Sequence, residues 1–502
     1  MSDYNFLMES RLSPAQFRVL NHISRIAAEQ GLNLYLAGGA VRDLTFGQRT
    51  VRDLDFVVGG NPQKVLPHLV PATKRRAKAG QRRINLSDPA PLEIEHLRFD
   101  QAMQSAEFTF TNGVRGELAS ARNEVYSKPG RRPAITPAAI FEDLKRRDFS
   151  VDAMAVSLHP NSRGLLLDPT NGGADVENRE LRVLHSRSFV EDPSRIYRLL
   201  RLGLRLGFKP SERTKQYLDS ALENRAWERM DPEQEGRELR AILREENVGQ
   251  VLKMFAHRGL LAGLDRKLAR IRIPYDRLTR IRSALRIAPD ADPILLNFHC
   301  LAEKFSAGYR KRLAGKVILH KGEIDLVFTF DREARKLARL LASSKGALSS
   351  QVYTLLLGQP QSLLLFILAH YPRPKVQNRV KNFLLKFPQI LARLPRAELQ
   401  ALGVKPGPQF EKIIHRIFFD QLDGKIKAHP QILKAMRAYA GIKEPPPKPV
   451  KHVKPAKSAK PTVTPKALKT PLPAPQAKSK KQKMKKMSRG IQARAVVKPA
   501  RG

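Results

Sequence analysis

Residues 34–58, LYLAGGAVRDLTFGQRTVRDLDFVV, constrain the fold of this chain more than any other stretch. They read as an apolar strand, a Gly38-Gly39 turn, the start of a helix carrying Arg42, and a second apolar strand bearing Asp53 and Asp55. Side chains alternate across a strand, so aspartates two positions apart point to the same face. An Asp-x-Asp pair alone is most often an exposed strand edge, and a Gly-Gly turn alone a simple chain reversal. The order and spacing of the pieces narrow the choice. Two carboxylates within reach of a glycine turn and an arginine can hold Mg²⁺ against a triphosphate.

The charge of the chain points the same way. The 502 residues carry 91 Lys and Arg against 47 Asp and Glu, a formal charge of +44, and a polyanion, RNA or DNA before a membrane, is the natural partner. Residues 445–502 hold 17 of the basic residues and no acid, which leaves +27 on the first 444 residues. Basic character is therefore expected in the folded part as well as in the tail. The single Cys300 excludes an intrachain disulfide and a Cys-based zinc cluster. Phe298 and Leu301 flank it like core residues, which argues against a catalytic thiol beside His299. One thiol fits a reducing compartment, and with no apolar run of membrane-spanning length and no signal peptide the expectation is a cytoplasmic protein.

Along the chain, residues 13–30 have helical spacing through Phe17, Leu20, Ile23 and Ile26. Asn61-Pro62 looks like a capped helix start, and residues 82–86 and 92–97 like strands. In the second of these, Leu92, Ile94 and His96 alternate with Glu93 and Glu95. Residues 99–137 have weak periodicity, and so long a connection is usually functional or mobile. Helical spacing resumes over 138–156. Short extended pieces are expected at 165–167 and 181–184, and from Asp192 onward the pattern is helical almost throughout, ending near 410–422 and 430–439. Beyond Lys443 the Lys/Pro/Ala-rich composition predicts disorder, with the basic cluster at 480–489 suited to phosphate contact.

Two later segments sharpen the reading. Residues 141–155, FEDLKRRDFSVDAMA, place Arg147, Asp148 and Asp152 close together, with the two aspartates one turn apart if the segment is helical. Residues 191–208, EDPSRIYRLLRLGLRLGF, place Asp192 and Pro193 at a helix start, followed by Arg195, Arg198, Arg201 and Arg205 as a basic stripe opposite Ile196, Leu200 and Leu204. Taken alone, each is an ordinary amphipathic helix.

Together with residues 34–58, they resemble the class II tRNA nucleotidyltransferase and poly(A) polymerase family, within the polymerase-β-like superfamily. Weaker matches are DPEQEGRELRAILRE at 231–245, similar to the helix that closes the family's neck, and ALGVKPGPQFEKII with DGKIK at 401–427, similar to the end of its tail domain. The resemblance implies an α+β fold: a polymerase-β-like nucleotidyltransferase head over residues 1–170, a helical neck over 171–265, a helical body and tail over 266–443, then the basic extension 444–502. It also implies Mg²⁺ on Asp53 and Asp55, with Glu93 or, preferably, Glu95 as a third catalytic carboxylate. Gly38, Gly39, Arg42 and Arg147 would meet the triphosphate, and Asp148 the ribose hydroxyl. Asp192 and Arg195 would read the amine-bearing edge that C and A share, with Arg198 and Arg201 supporting the nucleotide. One departure is Asp152, where the family usually has Asn.

The implied substrates are CTP, ATP and a tRNA 3′ end, giving addition or repair of CCA. A bacterial-type poly(A) polymerase, a split enzyme adding only CC or only A, and a catalytically silent RNA-binding protein are the alternatives. The family's flexible loop, tied to A addition, would fall within 99–137 and weighs against a CC-only enzyme.

Overall fold

The computed structural model describes residues 3–48, 51–69, 92–289, 291–343 and 348–442. The chain divides into a compact unit, Met1–Glu444, and a second, Pro445–Gly502. The second unit, and with it the expected disordered tail, lies outside the described residues, as does the strand expected at 82–86.

The helix Pro14–Glu29, second after Tyr4–Arg11, begins where its chemistry says it should. The Ser13 side chain accepts from the Gln16 N–H, the Gln16 side chain accepts from the Ser13 N–H, and proline occupies the first turn. Its buried face, Val19, Leu20, Ile23, Ile26 and Ala27, covers a sheet. The strands are β1 (Asn33–Ala37), β2 (Leu54–Gly59), β3 (Ile94–Asp100), β4 (Ser105–Phe110), β5 (Arg115–Ser120), β6 (Arg122–Val125), β7 (Ala134–Pro137), β8 (Ala155–Ser157) and β9 (Leu166–Leu167), with a short parallel pair, β10 (Glu180–Leu181) and β11 (Lys209–Pro210), apart from them. Among the described residues, seven of them form one sheet in the order β3-β4-β5-β2-β1-β8-β9, with β6 and β7 as a separate ribbon. β2 and β5 run parallel; the other neighbours in the large sheet are antiparallel.

Two expectations change here. Residues 99–137 are not an unstructured connection: they supply β4, β5 and the β6–β7 ribbon. Their alternation is hidden because β5, RGELAS, is half-buried on both faces and holds a glycine. A Cβ on Gly116 would stand 2.1 Å from the Leu54 carbonyl oxygen, so glycine lets β5 lie close against β2. The helix expected over 138–156 is cut to Ile140–Lys145, a 3₁₀ turn at Ser150–Asp152, and β8. Tertiary pairing wins there. Phe149 bridges to Val183, and the Ser150 N–H bonds the Arg182 carbonyl. Ser and Asp compete readily with helical hydrogen bonds.

Beyond Asp192 the described residues form helices almost throughout, the strand Lys209–Pro210 apart, with late helices at Pro408–Leu422 and His429–Ala440 close to where the spacing puts them. One apolar core includes buried residues from Tyr4 to Val380. A second core, Tyr353 to Met436, belongs to the last helices. No single helix among the described residues is long and apolar enough to cross a membrane. Cys300 is buried, and burial pushes its thiol up to about 12, so it is inert packing rather than a nucleophile.

Candidate active site

β1 ends at Ala37, and the chain turns at Gly38, whose φ of +67° suits glycine. The Gly38 N–H bonds the Met154 carbonyl at 3.0 Å. A Cβ at this position would lie 3.0 Å from a guanidinium nitrogen of Arg147 and 3.8 Å from a carboxylate oxygen of Asp55. The turn therefore sits between the sheet carboxylates and the segment 147–152. Gly39 opens the helix Gly39–Phe46.

Across β2, Asp55 is in register with Glu117 on the parallel strand β5. Burial pushes the Asp55 carboxyl up to about 7, reinforced by the nearby charges of Glu117 and Asp53 and opposed by Arg147 and Arg198. No side-chain hydrogen bond or ion pair reaches the Asp55 carboxylate among the described residues. Asp53 differs. Its Oδ1 accepts from Arg115 Nε at 3.0 Å, and Arg244 stands 3.7 Å from its Oδ2. Burial raises its pKa, but Arg115, Arg244 and Arg52 outweigh that and hold it below the usual carboxylate range.

The carboxylate that the sheet sets beside Asp55 is Glu117, not the expected Glu95 or Glu93. β3 is an edge strand three places from β2, about 14 Å away at ordinary strand spacing. Glu95 is exposed and falls where the β3–β4 register shifts, so the alternation read from sequence breaks at that residue. The available signal for Glu117 was a single acid in a short half-buried run, legible only once β5 is known to pair with β2.

The arginines also sort differently from expectation. Arg42 is only 2% exposed and is held by Asp43 at 2.8 Å and by Asp152. It braces the site from below rather than offering a cation to phosphate. Asp152 in turn accepts from Arg198 at 2.8 Å, and these two arginines hold its carboxyl far below the usual range against the cost of burial. The extra negative charge at Asp152 is thus neutralised within the protein. Arg198 also pairs with Asp148 at 2.8 Å, which brings Asp148 and Asp152 together although they share no helix. Arg147 bonds the Asp143 carboxylate at 3.0 Å and the Asp152 carbonyl at 3.2 Å, fixing its guanidinium over Gly38.

The helix Ser194–Leu206 follows Pro193, and Asp192 Oδ1 accepts from the Ser194 N–H at 3.1 Å. Its arginine stripe is not a solvated face. Arg195 is 6% exposed, donates to the Ser188 hydroxyl at 2.8 Å and stands 3.7 Å from Asp192. Arg201 is 8% exposed and buried against Glu238 and Glu245, so its guanidinium is taken up in joining its helix to the segment 238–245. Leu204, placed opposite the stripe as a core residue, is 39% exposed. Gln234, from the helix Pro232–Leu243, donates to Asp192 Oδ1 at 3.1 Å, and Tyr126 in the β6–β7 ribbon lies under the Arg195 guanidinium. Burial, the largest influence, pushes the Asp192 carboxyl up despite Arg195. Sequence reasoning missed Gln234 and Tyr126, which reach Asp192 and Arg195 only through the fold.

Residues 34–182 match the model of the poly A polymerase head domain. The head domain belongs to that family. It supplies the sheet, the Gly38 turn and the 147–152 segment, and Asp192 and Arg195 follow it. Over 445 residues the chain is 29% identical to the CC-adding tRNA nucleotidyltransferase of Deinococcus radiodurans, covering 86% of this chain and 96% of that protein. Over 429 residues it is 25% identical to the A-adding tRNA nucleotidyltransferase of Geobacter sulfurreducens, covering 84% of this chain but 46% of that protein, so the chain spans less than half of that relative's length. It also resembles a solved CCA-adding enzyme in an apo form, at 26% identity over 87% of this chain and 99% of the other, with a TM-score of 0.44.

Head domains of this polymerase-β-like type generally work with divalent metal ions. Among the described residues, no three Asp, Glu, His or Cys side chains stand ready to hold a metal as placed. Asp53 is turned to its arginines. Yet the donors around Asp55 are all oxygen and carry more negative charge than their surroundings offset, which suits a hard divalent cation. The residues fit such an ion once Asp53 is released.

Proposed function

We propose that this chain is an RNA nucleotidyltransferase that extends tRNA 3′ ends with CTP- and ATP-derived nucleotides, adding or repairing CCA. The observation that carries the reading is the pairing of Asp55 with Glu117 beside the Gly38 turn, a carboxylate set with no internal partner at Asp55. Asp53, Asp55 and Glu117 would hold Mg²⁺, which would supply Lewis-acid stabilisation of phosphoryl oxygens and of the attacking 3′-hydroxyl. Gly38 leaves room for a triphosphate to approach the backbone, and Arg147 holds a guanidinium over that turn. Asp148, fixed by Arg198, is the acceptor for a ribose hydroxyl. Asp192 accepts from an exocyclic amine, which C and A both have, while Arg195 donates to the ring acceptor beside it. Uracil and guanine offer the opposite pattern on that edge.

A second reading, a CC-only enzyme, is favoured by the nearly full-length match to the Deinococcus protein. The argument against it from a long flexible connection loses its basis, because β4 to β7 occupy residues 105–137. One experiment separates the readings. Purified protein, Mg²⁺ and a tRNA transcript ending before CCA are given CTP alone, ATP alone, then both, and products are sized on a sequencing gel. Two additions with CTP and a third only with ATP establish CCA addition. Two additions and no third give the CC-only enzyme, and long ladders with ATP alone give a poly(A) polymerase. Binding without extension of this transcript, but one addition with ATP to a transcript already ending in CC, gives the A-only enzyme, and binding without extension of either transcript removes the enzymatic reading.

A further inference from the structure

Four charged side chains meet beside the sheet, and they come from four separate parts of the chain. Asp53 precedes β2, Arg115 opens β5, Arg244 follows the helix Pro232–Leu243, and Asp292 precedes the helix Ile294–Ala302. Arg115 divides its guanidinium between two carboxylates: Nε donates to Asp53 at 3.0 Å, and Nη1 to Asp292. Arg244 repeats the arrangement at longer range, with 3.7 Å to Asp53 and 3.7 Å to Asp292. Its Nε is buried without a hydrogen-bond partner, so Arg244 is not seated in a finished pair.

The two guanidinium groups occupy the Asp53 oxygens that a divalent cation would need. Asp292 is the fixed member of the four, because its Oδ1 also accepts the Ile294 N–H at 2.9 Å. The side chains are a quarter to a third exposed, so water can follow a rearrangement. We propose that Arg115 and Arg244 gate Asp53: while they sit on it the carboxylate set is one member short, and when they collapse onto Asp292 it joins Asp55 and Glu117. Asp292 is then a positioning residue, placed in the helical half but acting on the carboxylates of the sheet. Anything that shifts the segment before Ile294 relative to the sheet changes how readily the metal site forms. The inference rests on the metal reading of Asp53, Asp55 and Glu117.

The test is Mn²⁺ binding to the full chain without nucleotide, read by electron paramagnetic resonance from the free-ion signal. If about one molecule in ten has Asp53 released, the apparent affinity is about tenfold below that of an open site. Arg115→Gln is therefore expected to tighten Mn²⁺ binding about tenfold, and Arg244→Gln to tighten it less. Asp292→Asn keeps an acceptor for the Ile294 N–H but removes the receiving charge, and should weaken binding about threefold. Charge changes acting only through space would move the single variants in the same directions, so the double variant decides. In the Arg115→Gln background, Asp292→Asn should have less than half of its effect in the wild type. Additive effects overturn the gate. Asp55→Asn separates the two levels: if it binds Mn²⁺ as the wild type does, the metal reading fails, whereas loss of binding there together with additivity in the cycle sinks the gate alone.

Discussion

At one end of the candidate site, Asp192 is bonded by Ser194 and Gln234, and Arg195 by Ser188, so each has a fixed orientation before any ligand arrives. At the other end, Asp55 faces Glu117 and Asp53 with no partner of its own, and its carboxyl is pushed up to about 7. The contrast separates two ways of building a site. A group that must present one hydrogen-bonding pattern is held by neighbours that fix its rotamer. A group that must bind a cation is left with uncompensated charge, and its neighbours make it worse. The braces beneath, Arg42 with Asp43 and Asp152, are a third kind, fully paired and facing inward.

The largest expected effect attacks the uncompensated end. Asp55→Asn should lower nucleotide incorporation about a thousandfold, the several kcal/mol a metal-held transition-state charge is worth. It should not destabilise the fold. With a folded pKa near 7 and an unfolded one near 4, the native state holds more protons in between, so Asp55 makes stability fall as pH rises from about 4 to about 7. The variant should lose that slope, visible as a higher melting temperature than wild type at pH 8 and a smaller difference at pH 5. A variant that melts lower at pH 8 would mean Asp55 is a structural partner after all.

Next comes the brace. Arg42→Met leaves the buried Asp152 and Asp43 without that cation and should cost about 3–5 kcal/mol in denaturant unfolding. If Arg42 instead served phosphate, stability would hold and the Michaelis constant for nucleotide would rise. At the pre-set end, Arg195→Ala should cut the preference for CTP and ATP over UTP and GTP about a hundredfold, since a site built to hydrogen-bond rejects wrong partners mainly through groups left unpaired. Unchanged discrimination would break the contrast between the two ends.

How much of this was legible beforehand follows from which interactions are local. The strand–turn–helix–strand order of 34–58 is set by short-range periodicity and glycine placement, and β1, the helix Gly39–Phe46 and β2 appear there. The start of the helix Ser194–Leu206 is likewise local, with Asp192 and Pro193 at its head. What failed was non-local. Whether Arg42, Arg198 and Arg201 are free or paired depends on Asp152, Asp148 and Glu238, which lie dozens of residues away. The helix expected over 138–156 gave way because Phe149 and Ser150 pair with Val183 and Arg182. Periodicity reports the face a residue would show on an isolated element, and it is silent about what that face meets.

The smallest expected effect tests that lesson at its sharpest point. Glu95 and Glu117 both lie on sheet strands, and Glu95 was the carboxylate expected from the sequence. The sheet order puts Glu117 beside Asp55 and leaves Glu95 on an exposed edge strand at a register shift. Glu95→Gln should therefore change incorporation by less than about twofold and leave stability within about 0.5 kcal/mol, the usual range for an exposed position. Glu117→Gln, the same chemical change, should lower incorporation strongly. It should also bring the Asp55 carboxyl down towards its ordinary range, because one of the charges holding it up is gone. Following the Asp55 carboxyl carbon by NMR through a pH titration reads this directly. An Asp55 titration that moves in Glu95→Gln and not in Glu117→Gln would place the third carboxylate back on β3 and undo the strand pairing on which the site is built.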